Sequence, residues 1–177
     1  MKKKGQFYLL AAIVIISVLI GFATISNYSK KNSAIKIYDL GDELGIEGGE
    51  VLDFGTYSSY SEPQTTDLLE SFTIMYTEFA GEGKEMYFVF GDIDTLSIAT
   101  YSEIITGSIS VNIGESTTNI LMDQKGYSIT KNINPTATEK VIVNIKDIPY
   151  TFDLQQGQNF YFIISQEVGG EKYVDTG

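Results

Sequence analysis

The chain has 177 residues, 43% of them hydrophobic, and a formal net charge of −11 from 23 acidic residues against 12 lysines. His, Cys, Trp and Arg are all absent, which excludes a Ser-His-Asp triad, a zinc site of His or Cys ligands, haem ligation, disulfides and an arginine clamp on phosphate, so no cofactor is expected. From residue 37 onward six lysines stand against 23 acidic residues, a net charge of −17, and this acidity predicts no binding to nucleic acid.

The first element is an uncharged stretch from Phe7 to Ile25, which follows three consecutive lysines. As a helix it would extend about 29 Å, close to the thickness of the hydrocarbon core of a bilayer. It therefore predicts a single-pass membrane anchor with a cytoplasmic N terminus, the bulk of the chain lying outside the cytoplasm. The alternative is an ordinary secretory signal that is cleaved after Ala23.

The residues directly before this stretch are Lys3-Lys4-Gly5-Gln6. A short basic segment ending in glycine, with glutamine next, resembles the class III signal peptides of archaeal type IV pilin-like proteins. The resemblance covers about the first 25 residues and implies cleavage between Gly5 and Gln6 by a membrane peptidase, with the apolar helix kept on the mature protein. Many members carry serine and glutamate where this chain has Tyr8 and Leu10, so the ionic contact that registers neighbouring subunits would be missing.

Two helices are predicted after the apolar stretch. In residues 33–54 the apolar positions return with a period nearer 3.6 than 2, and in residues 67–80 they form a wide stripe behind a cap at Thr66 or Asp67. The stripe predicts core packing, with a groove for a partner helix as the alternative. The Ser, Gly and Pro content of residues 55–66 predicts a loop. Four glycines weaken the first helix, because each costs about 1 kcal/mol in a helix interior: Gly41, Gly45, Gly48 and Gly49.

From Lys84 the period changes to 2 and the residues become β-branched and aromatic, which predicts eight short strands. "MYFVF" and "FYFII" are apolar on both faces and are expected to be central strands. The predicted strands are 85–91, 95–102, 107–113, 117–122, 127–132, 139–145, 149–154 and 158–165.

These elements predict an α+β protein: an N-terminal transmembrane helix and helical stalk segments, then an antiparallel β-sandwich or barrel-like domain of about eight strands. The expected division is an anchor over residues 1–30, a helical stalk over 31–83 and a β-rich extracytoplasmic domain over 84–177.

Few residues suggest a binding site. Asp92 and Asp94 flank one residue of a predicted turn, and two carboxylates so spaced can serve a Ca²⁺ ion, although an acidic hairpin turn is the simpler interpretation. Asn27 begins the sequon Asn-Tyr-Ser, a weak candidate for glycosylation. Carboxylate-based glycoside hydrolysis would need aromatic side chains that stack on the sugar. The chain has no Trp, so the candidates for this stacking are three tyrosines: Tyr57, Tyr60 and Tyr101.

The sequence thus favours a non-enzymatic, membrane-anchored surface protein, a pilin-like subunit or accessory component that acts through assembly with itself or with other surface proteins. The alternatives are a membrane-tethered extracellular binding module that does not polymerise and, more remotely, a carboxylate-based surface hydrolase.

Overall fold

The chain forms two compact units, residues 1–36 and residues 37–177. In the first unit, residues 15–17 and 20 are helical and exposed. A computed structural model describes residues 15–17, 20, 36–102, 108–113, 116–121, 126–133, 140–145 and 147–177.

The predicted membrane anchor is not found in the described part of the chain. Across the described ranges, no helix is both long and apolar enough to cross a membrane. The fold class with a transmembrane helix, and the single-pass location that depended on it, are therefore wrong. Of Phe7–Ile25, on which that prediction rested, the structure describes only residues 15–17 and 20. The longer described helices, residues 36–57 and 62–80, carry acidic side chains along their length.

In residues 36–83, two helices precede the strands: α1 covers residues 36–57 and α2 covers Glu62–Ala80. The predicted loop between them is shorter than expected because α2 begins earlier than the predicted cap. The backbone N–H of Ser61 donates a hydrogen bond to Gln64 Oε1 at 2.9 Å, which stabilises the first turn of the helix. Pro63 lies in that same first turn, where its missing N–H costs no helical hydrogen bond.

Nine strands are found in the described part of the chain, and they form two antiparallel sheets. One sheet has the order β5-β2-β1-β8-β9 and the other β4-β3-β6-β7. Eight strands lie within a few residues of their predicted positions, whereas β9 was not predicted. The bounds are β1 Lys84–Gly91, β2 Leu96–Ser102, β3 Ser108–Ile113, β4 Ser116–Leu121, β5 Gly126–Ile133, β6 Lys140–Ile145, β7 Ile148–Asp153, β8 Asn159–Val168 and β9 Glu171–Thr176.

The five-stranded sheet is covered on both faces, which explains why β1 and β8 are apolar on both sides. Alternate residues of β1 point to opposite faces: Tyr87 and Val89 toward the four-stranded sheet, Phe88 and Phe90 toward the helices. Burying a large apolar side chain such as Phe88 contributes about 2 kcal/mol. The central position expected for these two strands is confirmed.

The core between the two sheets, the inter-sheet core, is built mainly from aliphatic side chains. Along β6 of the four-stranded sheet, buried residues that belong to this core alternate with less buried ones. This pattern is typical of a sheet with one face packed on a core. The fully buried members include Leu96, Ile98, Ile109, Val111, Val141 and Val143.

The core between the helices and the five-stranded sheet, the helix–sheet core, is rich in aromatic rings. Phe160 of β8 lies 5.7 Å from the ring of Phe72 on α2 and 6.1 Å from that of Phe88. The Tyr76 hydroxyl donates to the backbone oxygen of Leu40 at 2.7 Å and so joins α2 to α1. The helices therefore form a layer on the sheet, and the helical stalk of the predicted fold class is wrong.

Candidate functional site

The predicted residues for processing and modification lie outside the described part of the chain. These are the proposed cleavage site at Gly5 and Gln6, the alternative signal cleavage at Ala23 and the glycosylation candidate Asn27. They remain predictions from the sequence.

Asp92 and Asp94 lie in the hairpin turn between β1 and β2, as the sequence predicts. One carboxylate oxygen of Asp92, Oδ1, accepts hydrogen bonds from the backbone N–H groups of Asp94 at 2.8 Å and Thr95 at 2.7 Å. The turn also needs Gly91, whose φ of 126° is disfavoured for other residues and whose added Cβ would meet the Thr95 backbone. Asp92 is therefore a turn-forming residue.

A third carboxylate, which the sequence analysis missed, approaches this turn from the start of α2. Desolvation raises the pKa of Glu62, and the carboxylates of Asp92 and Asp94 raise it further. Even so, no group of three or more His, Cys, Asp or Glu residues within the described ranges is placed to hold a metal ion.

Replacing Asp92 by alanine should lower the free energy of unfolding by about 1–2 kcal/mol, because two backbone N–H groups lose their acceptor. Thermal denaturation of Asp92→Ala and of Asp94→Ala compares their stabilities. Asp94→Ala is the control, because the Asp94 carboxylate accepts neither hydrogen bond.

A chelator should leave the melting temperature of the parent protein unchanged. A fall under chelation that Ca²⁺ reverses would mean that the turn holds a metal ion.

The tyrosines considered as a sugar-stacking platform have different surroundings. Tyr57 is 91% exposed and Tyr60 is 41% exposed, both near the turn between α1 and α2. Tyr101 is half-buried on β2 and packs against the helix–sheet core. Tyr101 thus contributes to the packing of the fold.

The structure contains a cleft of about 370 Å³ between α1 and the strands β8 and β9. The α1 side of the cleft contains Gly41, Gly45 and Gly49. These glycines are four residues apart, so they lie on one face of the helix. Phe160 and Phe162 of β8 line the opposite side. The remaining lining residues are Asp42, Ile46, Leu52, Asp175, Thr176 and Gly177.

The glycines of α1 bring the helix close to the sheet. A Cβ added at Gly48 would lie 2.5 Å from ring atoms of Phe160, and one added at Gly41 would overlap the carboxylate of Asp175. A Cβ added at Gly45, by contrast, would be in ordinary van der Waals contact with the Phe162 ring, and nothing lies within 4 Å of one added at Gly49. The sequence analysis treated these glycines only as helix-weakening residues, and no local pattern distinguishes Gly41 and Gly48, which lie against the sheet, from Gly45 and Gly49.

The cleft carries negative charge at one end. Burial raises the pKa of Asp175, the backbone amide of Thr176 lowers it, and the nearby carboxylate of Asp42 raises it. Neither carboxylate forms an ion pair within the part of the chain that the structure describes, and the described lining residues include no lysine.

A second surface feature is the outer side of the helical layer, termed here the acidic helical face and defined as the exposed residues of 37–83. This segment contains 11 acidic residues and no lysine. Between the carboxylates lie several large apolar side chains that are well exposed: Tyr38, Ile46, Phe54, Tyr57, Ile74, Met75 and Phe79.

Comparison with known proteins finds no relative on which to base a function. No family model matches the chain, and neither the curated proteins nor the solved structures contain a match at the threshold applied.

Proposed function

We propose that this protein is non-enzymatic and acts through protein–protein contact, as a pilin-like subunit or an accessory component of an assembly. The acidic helical face carries the proposal, because it combines exposed apolar side chains with a single sign of charge. The missing His, Cys and Arg support a role without catalysis.

The partner that this face fits is a basic amphipathic helix of another protein. Met75 and Phe79 lie one turn apart on α2 and are 62% and 68% exposed, so together they offer an apolar ridge. Glu78 lies three residues beyond Met75 on the same helix, within reach of lysines that border the partner's apolar stripe, and Glu82 adds a second carboxylate in the turn after α2. Two copies of this same face would repel each other, which disfavours its pairing with itself.

The test is fluorescence anisotropy of a labelled helical peptide composed of lysine and leucine, titrated with the full-length protein. A peptide of the same pattern with glutamate for lysine is the matched ligand control. We expect the basic peptide to bind in the micromolar range and to bind more weakly as salt rises, since exposed charges are screened beyond about 8 Å at physiological ionic strength.

The variant Met75→Lys/Phe79→Lys should bind the basic peptide at least about ten-fold more weakly, equivalent to about 1.4 kcal/mol. Ile148→Lys is the matched control, because Ile148 is 45% exposed but belongs to the other sheet. Equal binding of both peptides, or an equal loss in both variants, would contradict the proposal.

A binding module that does not assemble is the second candidate, and the cleft beside α1 favours it. Its volume lies in the range of small-molecule sites, about 300–1,000 Å³. Hydrolysis by its two carboxylates is disfavoured, because the Asp175 carboxylate lies against the Gly41 backbone and interacts with the Thr176 amide.

A further inference from the structure

The two sheets end in four outer strands, β4 and β7 in the four-stranded sheet and β5 and β9 in the five-stranded sheet. The free side of an outer strand presents backbone N–H and C=O groups that can pair with a strand of another chain. Native proteins block such pairing with charged residues, with proline or with a break in the regular strand pairing.

Three of these outer strands contain a block of this kind, and β4 does not. β7 contains Pro149, which has no N–H to donate, and β9 contains three charged residues. β5 contains Lys131, and its pairing with β2 is interrupted by a shift in register. The sequence of β4 is STTNIL, without charge or proline, and its pairing with β3 is regular from end to end.

The outer side of β4 has no strand partner within the described part of the chain, because β4 pairs there only with β3. The strand is fixed in place by Ile120, which is 6% exposed in the inter-sheet core, while Thr117 and Asn119 are exposed. Threonine and isoleucine also favour the extended conformation. A second strand would therefore gain backbone hydrogen bonds from β4 without any refolding of this chain.

The surroundings of β4 are close to neutral, although the chain as a whole is acidic. The strands of the four-stranded sheet contain one lysine and one acidic residue, Lys140 and Asp153, which form an ion pair at 2.8 Å across β6 and β7. The acidic helices pack on the far face of the five-stranded sheet. Packed sheets lie about 10 Å apart, and exposed charges are screened beyond about 8 Å at physiological ionic strength. Two copies that meet at β4 thus avoid most of the repulsion between their helical layers.

We infer that two copies of this protein pair through β4, antiparallel and about a twofold axis, so that their four-stranded sheets become one continuous sheet. A twofold pair needs a strand that is complementary to itself. Residues directly opposite each other project to the same face of the sheet, so the registers of greatest overlap are centred on Thr118 or on Asn119. In both registers every opposed pair is uncharged. This contact uses a different surface from the proposed contact with a basic helix.

The experiment is sedimentation equilibrium of the full-length protein, with the dissociation constant of the dimer as the readout. We expect the parent protein to dimerise in the micromolar range, because pairing of two outer strands buries less surface than a standard interface. Added salt should tighten the dimer, since both copies are negatively charged.

Asn119→Lys should raise the dissociation constant at least about ten-fold, because the two new charges lie opposite or diagonal to each other in the pair. Asn119→Glu should do the same for the same reason. An equimolar mixture of the two variants should dimerise more tightly than either variant alone, since the opposed charges now attract. Thr151→Lys is the matched control, because Thr151 is an exposed residue of β7, the other outer strand of this sheet.

A parent protein that stays monomeric throughout the micromolar range would overturn the inference, as would self-association that Asn119→Lys leaves unchanged. Equal loss in Asn119→Lys and Thr151→Lys, or a mixture that pairs no better than its components, would also overturn it. Circular dichroism checks that each variant keeps its sheets. The Met75→Lys/Phe79→Lys variant should dimerise as the parent does, so failure of the helix contact and failure of the β4 contact are separable.

Discussion

Replacement of Asn159 by alanine is expected to lower the free energy of unfolding by about 3 kcal/mol, because each lost hydrogen bond to a buried partner costs about 1 kcal/mol. Asn159 is only 5% exposed. The two hydrogens of its side-chain nitrogen are shared among the backbone oxygens of Gly91 at 3.2 Å, Gln155 at 3.0 Å and Gly157 at 2.9 Å, and its oxygen accepts from the Gln155 backbone N–H at 2.8 Å.

The substitution leaves these backbone groups without a side-chain partner at the point where the loop before β8 meets the end of β1. Chemical denaturation should show the loss directly, and the melting temperature should fall by about 6–12 °C. Asn119→Ala is the matched control, since Asn119 is an exposed residue of the edge strand β4. If the two variants lose similar stability, Asn159 does not organise the loop.

The pair Gly48→Ala and Gly49→Ala should shift stability in opposite directions. In a helix interior alanine is about 1 kcal/mol more favourable than glycine, and this difference in helix propensity applies at both positions. At Gly48 the new methyl group would meet the Phe160 ring at 2.5 Å, so α1 must move off the sheet at a cost of about 1–3 kcal/mol. At Gly49 nothing lies within 4 Å, and only the gain remains.

We therefore expect Gly49→Ala to raise the free energy of unfolding by about 0.5–1 kcal/mol and Gly48→Ala to lower it. Urea denaturation of both variants beside the parent protein gives the comparison, and the adjacent positions control for helix propensity. Stabilisation by both substitutions would show that α1 does not approach β8 as closely as described.

Local sequence patterns predicted eight of the nine described strands but not which strands pair with each other. The eight predicted strands have alternating or continuous apolar residues, because each packs against at least one core. Strand β9 has the sequence EKYVDT, and only Tyr173 and Val174 at its centre pack against the two cores. Two apolar residues between charged ones are too short a pattern to predict a strand, and the rest of β9 is held by backbone pairing with β8.

The features of the candidate site depend on contacts between distant parts of the chain. Gly41 and Asp175 meet only because β9 pairs with β8 under α1, and Glu62 approaches Asp92 only because α2 packs on the sheet. The sequence could indicate each residue type but not these pairings. Pro63 was interpreted as part of a loop, although proline in the first turn of a helix is favourable.

The five-stranded sheet has a thermodynamic consequence that follows from its place between the two cores. Each of its central strands contributes alternate side chains to both cores, so separating either outer layer exposes the apolar side chains on that face of β1 and β8 to water. Unfolding of either core therefore weakens the five-stranded sheet, on which the other core also packs. Residues 37–177 should accordingly lose their helices and both sheets in one cooperative transition, with the amides of β1 and β8 opening last.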